Sequence, residues 1–459
     1  MRTRRIRLVT GVFGLLWLVS CGGGPHSPQA DDVAPIPRRL VVWLDSTGVD
    51  ADTVSRLLDA GVDELVVRRG SILISGGAPV VRLEPAPVVG GALPVAVALQ
   101  VLGLDDREHD ADADAVWSAL AADFGDRLPA ELVLDLPELG DGAASFVTRL
   151  IAASGLAVVP LLSLDQLETE VGRKVASAAT RCLVPAFGSQ SADLRGLEAR
   201  TTRPLDVKLD PIRNLGVKVR VGIALRPATD PEVAGWAEDV DPLTSENDAE
   251  ILRTSALDRS FIVRRALDWA GASFEPGQTI AAAWVDAPKL NSFFVESQRL
   301  LLPEIVGWDL ISLPPDGTNL GLGRDELIRY LGGEGPAPTI EVRVNRRGRN
   351  LAVELSNTSV FRSALTGVGN WLQVELESGA LVAEDRGEFD RVILGRIIEG
   401  RWQPNPAGGP DAVRFVENYV APGEVIETGT IRLPSSRSEV TVRWQVQLSD
   451  GSTVSGAAR

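Results

Sequence analysis

The hydrophobic positions of this chain change their period near residue 338. Before it, short continuous apolar runs alternate with stretches in which apolar side chains recur three or four residues apart. The runs are Leu40–Asp45, Glu64–Arg69, Pro94–Leu104, Ala130–Leu136, Leu156–Leu164, Cys182–Phe187 and Lys218–Leu225. An unbroken run of Val, Ile and Leu is what a strand covered on both faces shows. Between the runs, Asp52–Ala60 (stopped by Gly61), Ala113–Phe124, Ala143–Ala153 and Gln166–Ala179 carry helical period. The starts of the fourth, fifth and sixth runs are about 25 residues apart, which suits a repeated βα unit. Ser71–Pro87, with its Gly-Gly pair, predicts an inserted hairpin. From residue 228 the rhythm weakens. It predicts polar loops with helices around Asn247–Thr254 and Phe261–Ala270, a further strand at Thr279–Val285, a helix from Lys289 to Leu301, a closing strand at Trp308–Leu313 and a closing helix at Arg324–Tyr330. The fold class is α/β: a (β/α)8 TIM-like barrel over residues 40–331. An open doubly wound sheet is the alternative, disfavoured because no Gly-rich nucleotide loop follows any strand.

Residues 332–338, Gly-Gly-Glu-Gly-Pro-Ala-Pro, read as a linker. Beyond them helical period gives way to alternation at Thr339–Val344, Asn350–Leu355, Trp371–Leu376, Arg391–Ile398, Ala412–Glu417, Glu424–Ile431 and Glu439–Leu448. Short strands with turns such as Arg347-Gly348 and Asp450-Gly451 predict a C-terminal all-β sandwich over 339–459.

The other end of the chain concerns address. Residues 1–20 start with four arginines and no acid, continue through the apolar run Leu8–Val19 and end in Leu-Val-Ser before Cys21. That is a secretory signal peptide, and the run is shorter than the roughly 20 residues a spanning helix needs. Leu-Val-Ser-Cys resembles the bacterial lipobox, which implies that Cys21 is lipidated, becomes the mature N-terminus and ties the chain to a lipid bilayer. Gly22 in place of Asp implies outer-membrane sorting in the bacterial cell envelope. Residues 21–39, Gly-rich and then Pro-rich, form a flexible tether. Removing the four arginines of the signal takes the formal charge from −16 to −20. So acidic a chain is repelled by nucleic acid and by anionic lipid, and the acyl chains have to supply the anchoring. With Cys21 lipidated, Cys182 has no disulfide partner and reads as a small buried hydrophobe.

Several motifs now coincide: the lipobox, the first strand with Trp43 and Asp45, Leu134-Asp-Leu-Pro137 in the fourth strand, Pro185 in the sixth, and Gly307-Trp-Asp-Leu-Ile-Ser-Leu-Pro-Pro-Asp316 at barrel closure. Together they resemble the bacterial family labelled domain of unknown function 3142, which is similar to glycoside-hydrolase barrels. The resemblance spans roughly residues 38–332. The fourth strand in that family ends in two acids separated by one residue. Asp135 matches the first, whereas Pro137 stands where the second would be.

In such a barrel the functional groups sit at the C-terminal ends of the strands. Those positions hold Asp45, Arg68 and Arg69, Gln100, Asp135 with Glu138, Ser163, Arg226, Asp286 and Asp316. Glycoside hydrolysis needs one carboxyl able to give a proton and one charged carboxylate. Asp135 or Glu138 with Asp286 are the catalytic candidates, although acids at βα turns also commonly stabilise helix starts. Asp45, Trp43, Arg68, Arg226, Trp284 and Trp308 are the candidate ligand contacts, the tryptophans as stacking surfaces for sugar rings. Arg68 and Arg69 cannot both face inward, because neighbouring strand residues alternate faces. No metal site or cofactor is expected. His109 is the only histidine outside the tether, and a calcium loop begun at Asp110 would put Ala115 at the glycine position and Ala121 at the bidentate glutamate. Two functions stay open: an envelope lipoprotein whose glycosidase-like barrel binds a glycan or serves as a scaffold without turnover, and a glycoside hydrolase acting on an envelope or extracellular polysaccharide.

Overall fold

The computed structural model describes residues 39–44, 49–74, 78–85, 89, 92–104, 110–125, 127–187, 205–213, 215–226, 228–230, 249–254, 258–269, 271–300, 302–315, 321–383, 385–404 and 409–458. The signal peptide, Cys21, the tether up to residue 38, Asp45, His109 and Asp316 lie outside the described residues.

The first part of the chain closes into a barrel. Its strands are β1 (Leu40–Leu44), β2 (Glu64–Leu73), β4 (Val95–Leu102), β5 (Glu131–Asp135), β6 (Ala157–Leu161), β7 (Arg181–Phe187), β8 (Lys218–Ala224) and β15 (Ile305–Ile311), with β3 (Val80–Leu83) antiparallel to the end of β2. β1 pairs in parallel with both β2 and β15, through Val41↔Glu64 and Leu40↔Trp308, so the eight parallel strands have no free edge. The predicted hairpin is the β2–β3 pair. It begins at a bulge between Arg68 and Gly70, where Gly70 sits at φ +128° with the Arg82 carbonyl oxygen 2.1 Å from where a Cβ would stand. Only glycine fits there.

Side-chain alternation divides the wall into two surfaces. Leu40, Val42 and Leu44 of β1 and Val97, Leu99 and Val101 of β4 face the surrounding helices, α1 (Ala51–Asp59), α2 (Asp110–Phe124), α3 (Ala143–Ser154), α4 (Leu164–Glu168), α5 (Glu170–Ala178), α6 (Leu205–Arg213), α7 (Ala287–Leu300) and α8 (Arg324–Leu331). Val41, Trp43, Val66, Ala96, Ala98, Val133, Val159, Leu161, Leu183 and Ile311 fill the interior. The lumen is packed solid. A Cβ on Gly222 of β8 would come within 2.8 Å of the Ile311 side chain.

Two expectations are corrected between β8 and β15. Where helices were expected around 247–254 and 261–270, the described residues form strands: β9 (Ala228–Asp230), β10 (Ala249–Thr254), β11 (Asp258–Val263) and β14 (Thr279–Ala283) form an antiparallel sheet, and β12 (Leu267–Trp269) pairs with β13 (Ala272–Phe274). Alternation won over helical spacing because one face is covered: Phe261, Val263, Ile280 and Ala282 are buried together. The run at 279–285 therefore belongs to this excursion and not to the barrel, where β15 pairs directly with β8.

Beyond residue 338 two antiparallel sheets face each other. One contains Ile340–Arg347, Asn350–Asn357, Val382–Ala383, Val425–Glu427 and Ile431–Arg432. The other contains Asn370–Leu376, Arg391–Ile398, Arg401–Pro404, Ala412–Glu417, Val440–Gln447 and Thr453–Ala458. Leu351, Val353, Leu372, Val374, Val413, Phe415 and Val442 form their common core. This sandwich is locked to the barrel. Phe361 joins the barrel's hydrophobic layer, and Leu365 and Tyr419 pack into the β11–β14 cluster. Arg362 pairs with Glu326 of α8 at 2.9 Å, both buried, and Ser449 donates to Asp286.

Candidate functional site at the barrel mouth

The inward-facing residues change character along the barrel axis. At the N-terminal ends of the strands they are ionic. Arg220 of β8, fully buried, pairs with Glu131 of β5, lies 3.6 Å from Glu64 of β2, and puts its Nε 3.0 Å from Asp309 of β15. Arg181 also pairs with Glu131, and Arg39 with Glu64. Three acids and three arginines thus balance. Removing one member of such a buried group would leave a charge uncompensated, at a cost of about 3–5 kcal/mol. Burial pushes the Asp309 carboxyl up to about 6, against the opposing pull of Arg220 and the Trp43 hydrogen bond.

Trp43 connects this layer to the mouth. Its Nε1 donates to Asp309 Oδ2 at 2.8 Å, and the Arg68 guanidinium lies over its ring at 5.3 Å. Arg69, next in the chain, turns outward and bonds the Glu84 carbonyl and Asp123. At the C-terminal ends, β2, β4 and β5 are neighbours and turn Arg68, Gln100 and Asp135 inward, with Gln100 directly opposite Asp135 in register. Gln100 is exposed; Arg68 and Asp135 are half-buried. Burial raises the Asp135 carboxyl above its usual range, and the nearby Arg68 charge pulls in the other direction. Among the described residues no ion pair joins these two, and none of the three side chains has a hydrogen bond. The next strand end is used structurally. Ser163 caps α4 with Gln166 in a capping box, and Gln166 Nε2 ties back to the Leu136 carbonyl at 2.7 Å.

Of the other candidates, Asp286, Trp284 and Trp308 are buried, whereas Glu138 and Arg226 are exposed just past the C-terminal ends of β5 and β8. Asp286, 3% exposed, caps the start of α7 by accepting from Lys289 N at 3.2 Å and accepts from Ser449 of the sandwich. Trp308 faces away from the lumen and meets Phe294 of α7 edge-on at 5.4 Å. Trp284 is buried in the β11–β14 cluster, with Lys289 Nζ 5.5 Å from its ring. Of the candidate contacts, the mouth brings together Arg68 and Asp135 over Trp43. Sequence reasoning passed over Gln100 as a contact and overlooked Arg220 and Asp309. The available signal was a charge at an inward-facing position inside an apolar run, Val219-Arg-Val221 and Trp308-Asp-Leu310.

The fold and the mouth define a (β/α)8 barrel with an appended β-sandwich, and a carboxylate, an amide and a guanidinium at the strand ends. No family model and no curated protein matches the chain. Among solved structures it is similar to the spore cortex-lytic enzyme SleL of Bacillus megaterium, at 10% identity and a TM-score of 0.36 over 66% of this chain and 75% of that one. A second likeness is to a Bacillus subtilis structure described as a sporulation-specific glycosylase, at 11% identity and 0.32 over 47% and 80%. A third is to the protein BuGH86 in complex with neoagarooctaose, at 8% identity and 0.23 over 77% and 67%.

Proposed function

We propose that this chain is a lipid-anchored bacterial envelope protein whose barrel mouth binds a glycan without hydrolysing it. The observation that carries the reading is the mouth itself: among the described inward-facing residues at the strand ends, Asp135 is the one carboxylate, and it faces Arg68 and Gln100 rather than a second acid. A sugar hydroxyl donates to a carboxylate and accepts from a guanidinium, so such a pair suits a polyol. Paired-acid hydrolysis instead needs two carboxyls roughly 5–9.5 Å apart across the bond to be cut. Of the other acids considered, Asp286 is committed to a helix start and to the sandwich, Glu138 is exposed three residues past the end of β5, and Asp45 lies outside the described residues.

The test is incubation of the purified chain with envelope polysaccharides, measuring retention and release of reducing ends together. Retention without release is expected. Release that is lost in Asp135→Asn would overturn the reading and favour a hydrolase, for which the raised Asp135 carboxyl would be the proton donor. The anchor is tested separately: the wild-type chain should partition with membranes and carry acyl groups, and Cys21→Ser should do neither.

A further inference from the structure

On the reading that the mouth takes a glycan, we infer that its ligand is a neutral sugar unit, held by hydrogen bonds between its adjacent hydroxyls and Arg68, Gln100 and Asp135. Three observations lead there.

The first is the set of unmade hydrogen bonds. Arg68, Gln100 and Asp135 come from three successive strands, point into the same opening and have no hydrogen bond among the described residues. Neighbouring strands lie about 4.8 Å apart, so the outer two tracks are separated by about 10 Å, the width of a sugar ring with a hydrogen bond on either side. A carboxylate only accepts, a guanidinium only donates and an amide does both. Adjacent hydroxyls on one ring satisfy all three at once.

The second is that the three candidate tryptophans among the described residues are taken. The Trp43 ring has the Arg68 guanidinium over it and its N–H is bonded to Asp309. Trp308 meets Phe294 behind the wall, and Trp284 is packed between the antiparallel excursion and the sandwich. None of these three rings offers a sugar an open face, so among the described residues of the mouth discrimination falls to the hydrogen-bonding groups. The Asp309 hydrogen bond fixes the Trp43 plane and thereby the height at which Arg68 presents its donors, which makes Trp43 and Asp309 positioning residues.

The third is charge. Among the three contact residues Arg68 and Asp135 offset each other and Gln100 is neutral, and the whole chain carries a formal −16. A uronate or phosphate sugar would gain Arg68 but meet Asp135 and the field of an acidic protein. A neutral sugar meets neither penalty.

The experiment is calorimetric titration of the full mature chain with two probe sets of equal length, neutral hexose and N-acetylhexosamine oligosaccharides against uronate oligosaccharides. It uses wild type, Gln100→Ala, Asp135→Asn and Arg68→Met, with folding checked by circular dichroism. Gln100 is exposed, so its substitution leaves the fold intact. At least one neutral probe should bind, the uronates about tenfold more weakly or worse, and each substitution should weaken the neutral probe about tenfold, the scale set by losing a hydrogen bond to a charged or amide group. Uronates binding as well as or better than neutral sugars, or neutral binding that all three substitutions leave unchanged, would overturn this inference while glycan binding itself survives. Binding of neither set by the folded chain would overturn the glycan reading on which it rests.

Discussion

Glu326 lies in the seam between barrel and sandwich, and its titration should be visible in the stability of the chain. It is 2% exposed and pairs with Arg362 at 2.9 Å; the Gly323 and Ala287 backbone N–H groups also favour its charged form, whereas Asp286 opposes it. Burial outweighs the favourable contacts and pushes its carboxyl up to about 7 from an ordinary 4.5. The native state therefore holds the proton more tightly than the unfolded chain. Its contribution is fully present below about pH 4.5 and is lost as pH rises through about 7. At 1.36 kcal/mol per unit, the difference corresponds to about 3 kcal/mol overall, most of which falls between about pH 5 and about pH 8. Glu326→Gln keeps the shape and an acceptor for Arg362 but removes the proton. Relative to wild type the variant should therefore gain about 2–3 kcal/mol of stability between those two conditions, read as the change in urea midpoint multiplied by the slope. Asp309, pushed up to about 6, adds a slope of the same sign to both proteins and cancels in the difference. A difference between variant and wild type that is the same at both pH values would refute the assignment of this proton to the seam.

Two further outcomes are expected. Trp308→Ala should destabilise the chain by about 3–5 kcal/mol in urea unfolding, because it empties a large buried site between the wall and α7. At temperatures where the variant stays folded, it should leave the affinity of the mouth for a sugar unchanged. Cys182 is buried within β7 and its thiol is pushed up to about 12, so it should resist a thiol-reactive reagent in the native chain and react at once in denaturant.

The barrel was legible because its signal is local. A strand covered by helices on one side and by the packed lumen on the other must be apolar throughout, so Leu40–Leu44, Lys218–Ala224 and their companions announce themselves as runs. The strands of the sandwich announce themselves by alternation, and Arg391–Ile398 and Ala412–Glu417 fall at the bounds the pattern predicts. The strands Ala249–Thr254 and Asp258–Val263 were misread because they are short and the burial of Phe261 and Val263 comes from partners outside the segment: Ile280 and Ala282 on β14, and Leu365 and Tyr419 from the sandwich. No window of sequence contains that cover.

The mouth divides along the same line. The chain by itself determined that Arg68 and Arg69 face opposite ways and that Asp135 ends a strand, because alternation and run length are properties of neighbouring residues. Only the tertiary structure decided what each group meets. Strand order put Gln100 between Arg68 and Asp135, closure brought Asp309 to Trp43 across 266 residues, and docking of the sandwich brought Ser449 and Arg362 to the seam where Asp286 and Glu326 lie. Charge partners, burial and the shifts they cause depend on distance in space, which the order of residues along the chain does not contain.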